Sequence, residues 1–440
     1  MVTKMIKRNT YLKILIDSKE NGFPKVITGI RRCGKSTLLN VLYREYLKEE
    51  GIKDEQIIYL DLTDTDNLRY CDPIYLNDYV LELTKNKNVI YYVFLDEIQN
   101  VYSIVNPNLT SGKHVLAKKN DENIVSFVNT VLALSKKRNI DLYITGSNSK
   151  MLSTDIITEF RDKATNIQIG PLSFEEFYGF KGGSKNDALY EYMQYGGMPI
   201  AVLSATDKKR DYLKSLFDTT YFRDIIERNN LRRSESLDEL SNILSECTGD
   251  LMNVNSVSVA FERATSKKIN KETVENYIRY FIDSFILKEA TRYDVKEKSE
   301  IGALRKYYYT DTGLRNAKLN FAYSDMGKLL ENVVYNELLF NGYTVNVGTF
   351  EKVEKDRNGK SIKKTYEIDF VAKRGIKSYY IQVCENLSTI EAREREIKPY
   401  IKLNDQIQKI VVVNQPIDEC LDENGFTIIG APDFLLRFIK

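Results

Sequence analysis

Gly29-Ile-Arg-Arg-Cys-Gly-Lys-Ser36 fits the pattern Gly-x4-Gly-Lys-Ser/Thr. It follows the apolar pair Val26-Ile27 and precedes an apolar-periodic segment carrying Leu38, Leu39, Leu42 and Tyr43. Strand, glycine loop, then helix is the context a phosphate cradle requires. The glycines let backbone N–H groups curl around a phosphate, and the helix N-terminus adds partial positive charge. On this reading Gly29, Ile30, Arg31, Arg32, Cys33, Gly34, Lys35, Ser36 and Thr37 bind a nucleotide. Lys35 reaches the β- and γ-phosphates, and the Ser36 hydroxyl ligates Mg²⁺. The competing reading is an ordinary glycine turn before a helix.

Val89-Ile-Tyr-Tyr-Val-Phe-Leu95 reads as a buried strand ending in Asp96-Glu97. Parallel strands buried on both faces are continuous apolar runs, and their carboxyl ends carry chemistry. Asp96 is expected to hold Mg²⁺ through a water, and Glu97 to polarise the attacking water as general base. A third strand, Leu142-Tyr-Ile-Thr145, runs into Gly146-Ser-Asn-Ser149. Asn148 and Ser147 are candidates to sense a γ-phosphate, against the alternative of a polar strand-end turn. Arg161 is a candidate to stabilise transition-state charge in a neighbouring subunit's site, against a solvated surface arginine. Cys33, beside Arg32 and a helix N-terminus, is expected to have a lowered pKa and to be alkylated unless ATP protects it. A small tolerated residue is the alternative.

Working outward, the 440 residues exceed one core, so two or three domains are expected. Short apolar strands at Lys25–Thr28, Ile57–Leu60, Val89–Leu95, Leu142–Thr145 and Ile167–Ile169 alternate with helical patterns. This predicts an α/β fold, a parallel sheet with helices on both faces, over residues 1–177. Asp64–Leu76 reads as a polar loop, and Asn106–Asn123 as a mobile surface insertion. A helical block follows over residues 178–319, and strands return over residues 320–440.

Net charge is only +2, so nucleic-acid binding would need a local basic patch. The five cysteines, Cys33, Cys71, Cys247, Cys384 and Cys420, show no Cys-x-x-Cys spacing. That argues against a disulfide framework or zinc ribbon and fits a cytoplasmic location. The single histidine, His114, excludes multi-histidine metal sites and reads as a solvated loop residue. No apolar run has signal-peptide or membrane-span length, so no membrane partner is expected.

Thr28–Leu39, Phe94-Leu-Asp-Glu-Ile-Gln99 and Ile144-Thr-Gly-Ser-Asn-Ser149 resemble the archaeal-type ATP-binding proteins of the AAA+ class. Pro171-Leu-Ser-Phe-Glu-Glu-Phe177 and Tyr195-Gly-Gly-Met-Pro199 match two further signatures of that family. The resemblance covers nearly the whole chain. It implies an ATPase core, a helical and winged-helix middle, and a C-terminal restriction-endonuclease-like domain. It also implies ATP over GTP and makes an oligomer a natural expectation. Phe160-Arg161 departs from the family's Gly-Arg.

In the middle block, Leu237–Ile243, Val257–Arg263 and Lys271–Asp283 read as three helices, the last N-capped by Asn270. Ile286–Tyr293 and Arg305–Thr310 read as a β-wing. Lys267, Lys268, Lys271, Arg279, Lys296, Lys298 and Arg305 could contact DNA phosphates, although Glu272 and Glu275 share the third helix. A protein-contact module is the other reading. In the C-terminal block, Glu331–Glu337 lies on a helix, and Glu367, Asp369, Gln382 and Cys384 lie on strands. This resembles a nuclease fold in which carboxylates and a Glu-x-Lys dyad bind Mg²⁺. Here the dyad reads Gln382-x-Cys384, which predicts a fold without efficient nuclease chemistry. Lys373 or Lys377 could supply the missing ammonium, and a solvated strand edge is the alternative for Glu367 and Asp369. Two functions therefore stand: Mg²⁺-dependent ATP hydrolysis acting on DNA or a DNA-associated complex, or an ATP-dependent switch binding a protein partner. A small-molecule kinase is disfavoured, because nothing resembles an acceptor site.

Overall fold

The computed structural model describes residues 5–118, 120–147, 164–231, 235–322, 325–355, 360–403 and 405–440. Two compact units are present. One ends at Gly170 and includes Asp283–Phe285; the other comprises Pro171–Ile282 and Ile286–Lys440.

The first unit is built on β1 (Lys25–Thr28), β2 (Ile57–Asp61), β3 (Tyr91–Asp96), a short antiparallel ribbon of β4 (Ile104–Val105) and β5 (Ile124–Val125), β6 (Ile140–Gly146) and β7 (Thr165–Gln168). The main sheet has the order β2-β3-β6-β1-β7, with every neighbour parallel. Every residue of β6, and all of β3 after Tyr91, is buried, as expected of central strands covered on both faces. Alternation divides the contacts. Val93, Leu95, Leu142 and Ile144 pack with Leu76, Val80, Val131 and Leu134 from helices Pro73–Leu83 and Phe127–Ser135. Phe94 and Tyr143 face the other way, onto Tyr43 in the helical segment after the glycine loop. The unit is thus a P-loop α/β fold.

Two segments differ from their sequence reading. Asp64–Leu76 is not a loop: Thr65–Cys71 forms a 3₁₀ helix and Pro73 opens the next helix. Asp64 and Asp72 cap them, each accepting a backbone N–H with its carboxylate. Asp-Pro is a strong N-cap and first-turn pair, and it outweighs the polar composition. The Asn106–Asn123 insertion is closed at its base by the β4–β5 ribbon and an Asn106 N–H to Asn123 carbonyl bond of 2.9 Å. His114, expected to be solvated, has Nδ1 2.6 Å from Asp72 Oδ2, and its ring centroid lies 4.7 Å from that of Tyr75.

The second unit opens with helices Phe174–Lys181, Lys185–Tyr195, Pro199–Leu203 and a long helical run from Thr206 to Arg228. Helices Glu235–Glu246, Val254–Thr265 and Lys271–Asp283 follow; Asn270 Oδ1 accepts the Glu272 N–H at 3.1 Å. Next come β8 (Leu287–Asp294), β9 (Ser299–Tyr309), helix Met326–Phe340, β10 (Thr344–Lys355), β11 (Ser361–Arg374), β12 (Lys377–Cys384), helix Ile390–Lys402, β13 (Gln408–Val413), β14 (Cys420–Leu421) and β15 (Thr427–Gly430). All eight strands form one sheet, ordered β14-β15-β13-β12-β11-β10-β8-β9. The β8–β9 hairpin, read from sequence as a wing of the middle block, therefore extends the C-terminal sheet. Its link is a short parallel pairing, Val347–Thr349 against Arg292–Asp294.

The two signature motifs have structural explanations. Ser173 and Glu176 form a reciprocal capping box, at 3.3 and 3.0 Å, that starts helix Phe174–Lys181. Its Phe174 N–H donates to the buried Glu337 carboxylate at 2.7 Å. Gly196 has φ +69°, and a Cβ there would lie 2.0 Å from Asp311 Oδ1. The same Asp311 carboxylate accepts the Gly197 N–H at 2.7 Å and the Leu314 N–H at 3.1 Å. Gly-Gly is thus the seat of a buried aspartate that joins two helices.

Gly196→Ala should destabilise the second unit by about 3 kcal/mol, from backbone strain and the displaced carboxylate. Urea denaturation followed by circular dichroism checks this. Burial pushes the Glu337 carboxyl up to about 7, against the Phe174 N–H, which favours the ion. The folded protein therefore holds this proton where the unfolded chain releases it. The contribution is full below about 4.5 and lost as pH rises through about 7. Denaturation of wild type and Glu337→Gln between pH 4.5 and 8.5 should show their stability difference drifting against the wild type by roughly 3 kcal/mol.

Candidate nucleotide site

The site forms where β1, β3 and β6 end. β1 leads into the glycine loop, which passes into the helix starting at Lys35. Gly29 has φ +148°, and a Cβ there would fall 2.0 Å from the Ile169 carbonyl oxygen, so no side chain fits. The buried Lys35 ammonium lies 3.1 Å from the Gly29 carbonyl, 3.3 Å from that of Ile30 and 3.7 Å from Glu97 Oε1. The helix N-terminus and this ammonium place positive charge at one point, which suits an anion.

Asp96 is the last residue of β3 and is buried. Its two oxygens accept from the hydroxyls of Thr145 and Tyr59, the latter at 2.8 Å. The exposed Ser36 side chain lies near the same Tyr59 hydroxyl and opposes the rise in its pKa. Ser36 and Asp96 thus meet around one hydroxyl, and the donor set is hard oxygen, which fits Mg²⁺. Glu97 is held in the left-handed region at φ +52°, a backbone state uncommon for a glutamate. Its N–H donates to Thr145 Oγ1 at 2.9 Å, so Thr145 fixes both acidic residues.

Two groups escaped the sequence reading. The Gln99 amide donates to Glu97 Oε2 and lies 3.3 Å from Ser147 Oγ, which also accepts Arg31 Nε at 3.3 Å. Gln99 stood in the quoted Asp-Glu-Ile-Gln segment, two residues past Glu97, and that adjacency was its only signal. Arg8 donates to the carbonyls of Cys33 and Gly170, each at 2.9 Å, and so anchors the back of the glycine loop. It lies 25 residues before Cys33, and no local pattern marks it. Ser147 is therefore in the site, while Asn148 and Arg161 lie outside the described residues.

The Cys33 expectation is overturned. Its thiol is buried, 3.6 Å from the Ile169 carbonyl, and burial pushes its pKa up against the opposing pull of Lys35 and Arg8. Desolvation of the thiolate outweighs the helix end.

A second cluster of ionisable groups lies in the other unit. Lys306 Nζ, from β9, is 2.9 Å from Glu331 Oε1 on helix Met326–Phe340, and 2.8 and 3.8 Å from Glu367 Oε1 and Asp369 Oδ1 on β11. Asp369 is buried and does not line a solvated edge. Lys373, one candidate for the missing ammonium, instead stands 3.8 Å from the Tyr293 ring centroid, and Lys377 is exposed.

Comparison with known proteins finds a family match in each unit. Residues 21–178 match an AAA domain, and residues 186–325 match a domain of unknown function. The first unit thus combines a P-loop α/β fold with a match to an AAA domain. The chain belongs to one family with an uncharacterized protein of Haemophilus influenzae, 30% identical over 99% of this chain and 100% of that one. An uncharacterized protein of Methanocaldococcus jannaschii is 29% identical over 98% of this chain and 88% of its own. Among solved structures, a Walker-type ATPase of Pyrococcus abyssi overlaps 72% of this chain and 96% of its own at 14% identity, with a TM-score of 0.46. Among the described residues no helix is long and apolar enough to cross a membrane.

In an iodoacetamide pulse read by peptide mass mapping, exposed Cys420 should be labelled in the folded protein. Cys33 should be labelled only after unfolding, and ATP should leave its labelling unchanged.

Proposed function

We propose that the chain binds ATP with Mg²⁺ at the Gly29–Thr37 loop and hydrolyses it, using the conformational change to act on DNA or a DNA-associated complex. The observation that carries the hydrolytic reading is the placement of Glu97. Its backbone is held left-handed by Thr145, and its Oε1 lies 3.7 Å from the Lys35 ammonium. A carboxylate at the carboxyl end of the central strand, beside the phosphate-directed lysine, suits a base for water.

Ser36 would hold Mg²⁺ directly and Asp96 through water; the ion would neutralise charge on the β- and γ-phosphates. Lys35 would bind the same phosphates. Gln99 and Ser147 would orient the Glu97 carboxylate. Asn148 and Arg161 are proposed, from sequence, as γ-phosphate sensor and arginine donated between subunits of an oligomer. Residues 178–319 would form a helical and winged-helix region whose hairpin also extends the sheet of residues 320–440, a restriction-endonuclease-like domain.

The DNA reading draws on exposed Lys267, Lys268, Lys271, Arg279, Lys296 and Lys298, three helices followed by a hairpin being the winged-helix order. One specific observation favours the alternative, a protein-binding switch. Arg305, expected to meet phosphate, is instead engaged with Glu289 at 2.9 Å and with the Gly302 carbonyl at 2.7 Å.

Lys35→Ala and Glu97→Gln should each lower kcat for ATP hydrolysis, the latter by about 10²- to 10⁴-fold. Undiminished activity in Lys35→Ala would remove the site assignment. Stimulation of wild type by DNA, with binding that weakens steeply as salt rises, supports the DNA reading. Hydrolysis indifferent to DNA moves the function to the switch.

A further inference from the structure

The resemblance of the C-terminal block to metal-dependent nucleases implies a divalent cation among Glu331, Glu367 and Asp369. We infer that Lys306 takes the place of that cation, so that the cluster is closed to metal and the domain does not cut nucleic acid through it.

Four observations converge. First, the Lys306 side chain is only 4% exposed and its ammonium stands within 4 Å of all three carboxylates. All three partners are acidic side chains, so the ammonium is surrounded by countercharge. A cation therefore occupies the point where the carboxylates face one another. Second, two of the carboxylate oxygens have further partners. Glu331 Oε1 also accepts the Tyr308 hydroxyl at 2.6 Å, and Asp369 Oδ2 accepts the Val383 N–H at 2.8 Å. Third, the position on β12 that would complete a metal site is a neutral amide. Gln382 donates to Glu396 Oε2 at 3.1 Å, and its Oε1 lies 3.4 Å from the Asp369 nitrogen. Two residues on, Cys384 is buried and its thiol pushed up to about 12, so it offers neither ammonium nor thiolate. Fourth, among the described residues no group of three or more acidic, histidine or cysteine side chains is arranged to hold a metal ion.

The source of the lysine gives the arrangement its consequence. Lys306 belongs to β9, the edge strand of the hairpin that joins the C-terminal sheet through only three paired positions. Its ammonium ties that hairpin to helix Met326–Phe340 and to β11 at once. A divalent ion would supply the charge in place of this tie, while Tyr308 and Tyr309, which bond Glu331 and Asn332, would still hold the hairpin to the helix.

The test uses full-length protein without nucleotide and Mn²⁺ as the probe. Isothermal titration of wild type, Asp369→Asn and Glu367→Gln should give the same number of Mn²⁺ sites. The comparison cancels any weak site at Asp96. Wild type with Mn²⁺ should leave supercoiled plasmid intact. Lys306→Met should melt several degrees lower, and Mn²⁺ should restore the loss, while Lys306→Met/Asp369→Asn should not respond. A Mn²⁺ site in wild type that either carboxylate variant removes would overturn the inference. So would plasmid nicking that Asp369→Asn abolishes, or a Lys306→Met protein that Mn²⁺ fails to restore. If Lys306→Met does not fold, the titrations and the plasmid assay decide alone. Neither depends on whether the first unit hydrolyses ATP, so this inference and the proposed function fail separately.

Discussion

The Thr145 hydroxyl is the small group on which the nucleotide site depends. It donates to Asp96 and accepts the Glu97 N–H, so a single side chain on β6 fixes two adjacent acids at the end of β3. That is possible only because β3 and β6 are parallel neighbours in a set register, with Leu95 opposite Ile144. One step of slip would turn every buried side chain to the wrong face. The continuous apolar runs of these strands therefore do more than fill the interior. They fix where the two carboxylates emerge, and the same pairing sets β6 against β1, whose end opens the glycine loop.

How much of this could be read in advance depends on how local the cause is. The glycine loop, Asp96 and Glu97 were legible because each is marked by its own sequence neighbours. Ser147 was legible because it ends a strand. Arg8 was not, since its role is to satisfy two carbonyls, one of them 162 residues away. Asp64–Leu76 was misread because polar composition was given more weight than the Asp-Pro pair that caps a helix. Cys33 was misread for a related reason. A helix end and a neighbouring arginine are visible in sequence, but desolvation is a property of the packed interior and has the opposite sign.

The hairpin shows the same limit at the level of topology. Its two strands were legible from their apolar and aromatic residues. Their sheet partner was not, because the pairing with β10 spans only Val347–Thr349 and leaves no pattern in the chain. Lys306 fell from view with it. It reads as one more cation in Arg-Lys-Tyr-Tyr-Tyr, until three acids from more than twenty residues away are seen around it.

Two groups of carboxylates, each gathered at a strand, thus arrive at different chemistry through the cation each is given. In the first unit Lys35 stands 3.7 Å from Glu97 on the flank of a site whose Ser36 side chain is exposed, so an ion arriving with a phosphate has room to act. In the second unit Lys306 is buried among its acids. Burial and Glu331 together push the Asp369 carboxyl well above its ordinary range despite Lys306. The motif that would announce a nuclease is weakened at Gln382 and Cys384, and on the inferred role of Lys306 the charge that a metal would balance is already balanced in part from within the chain.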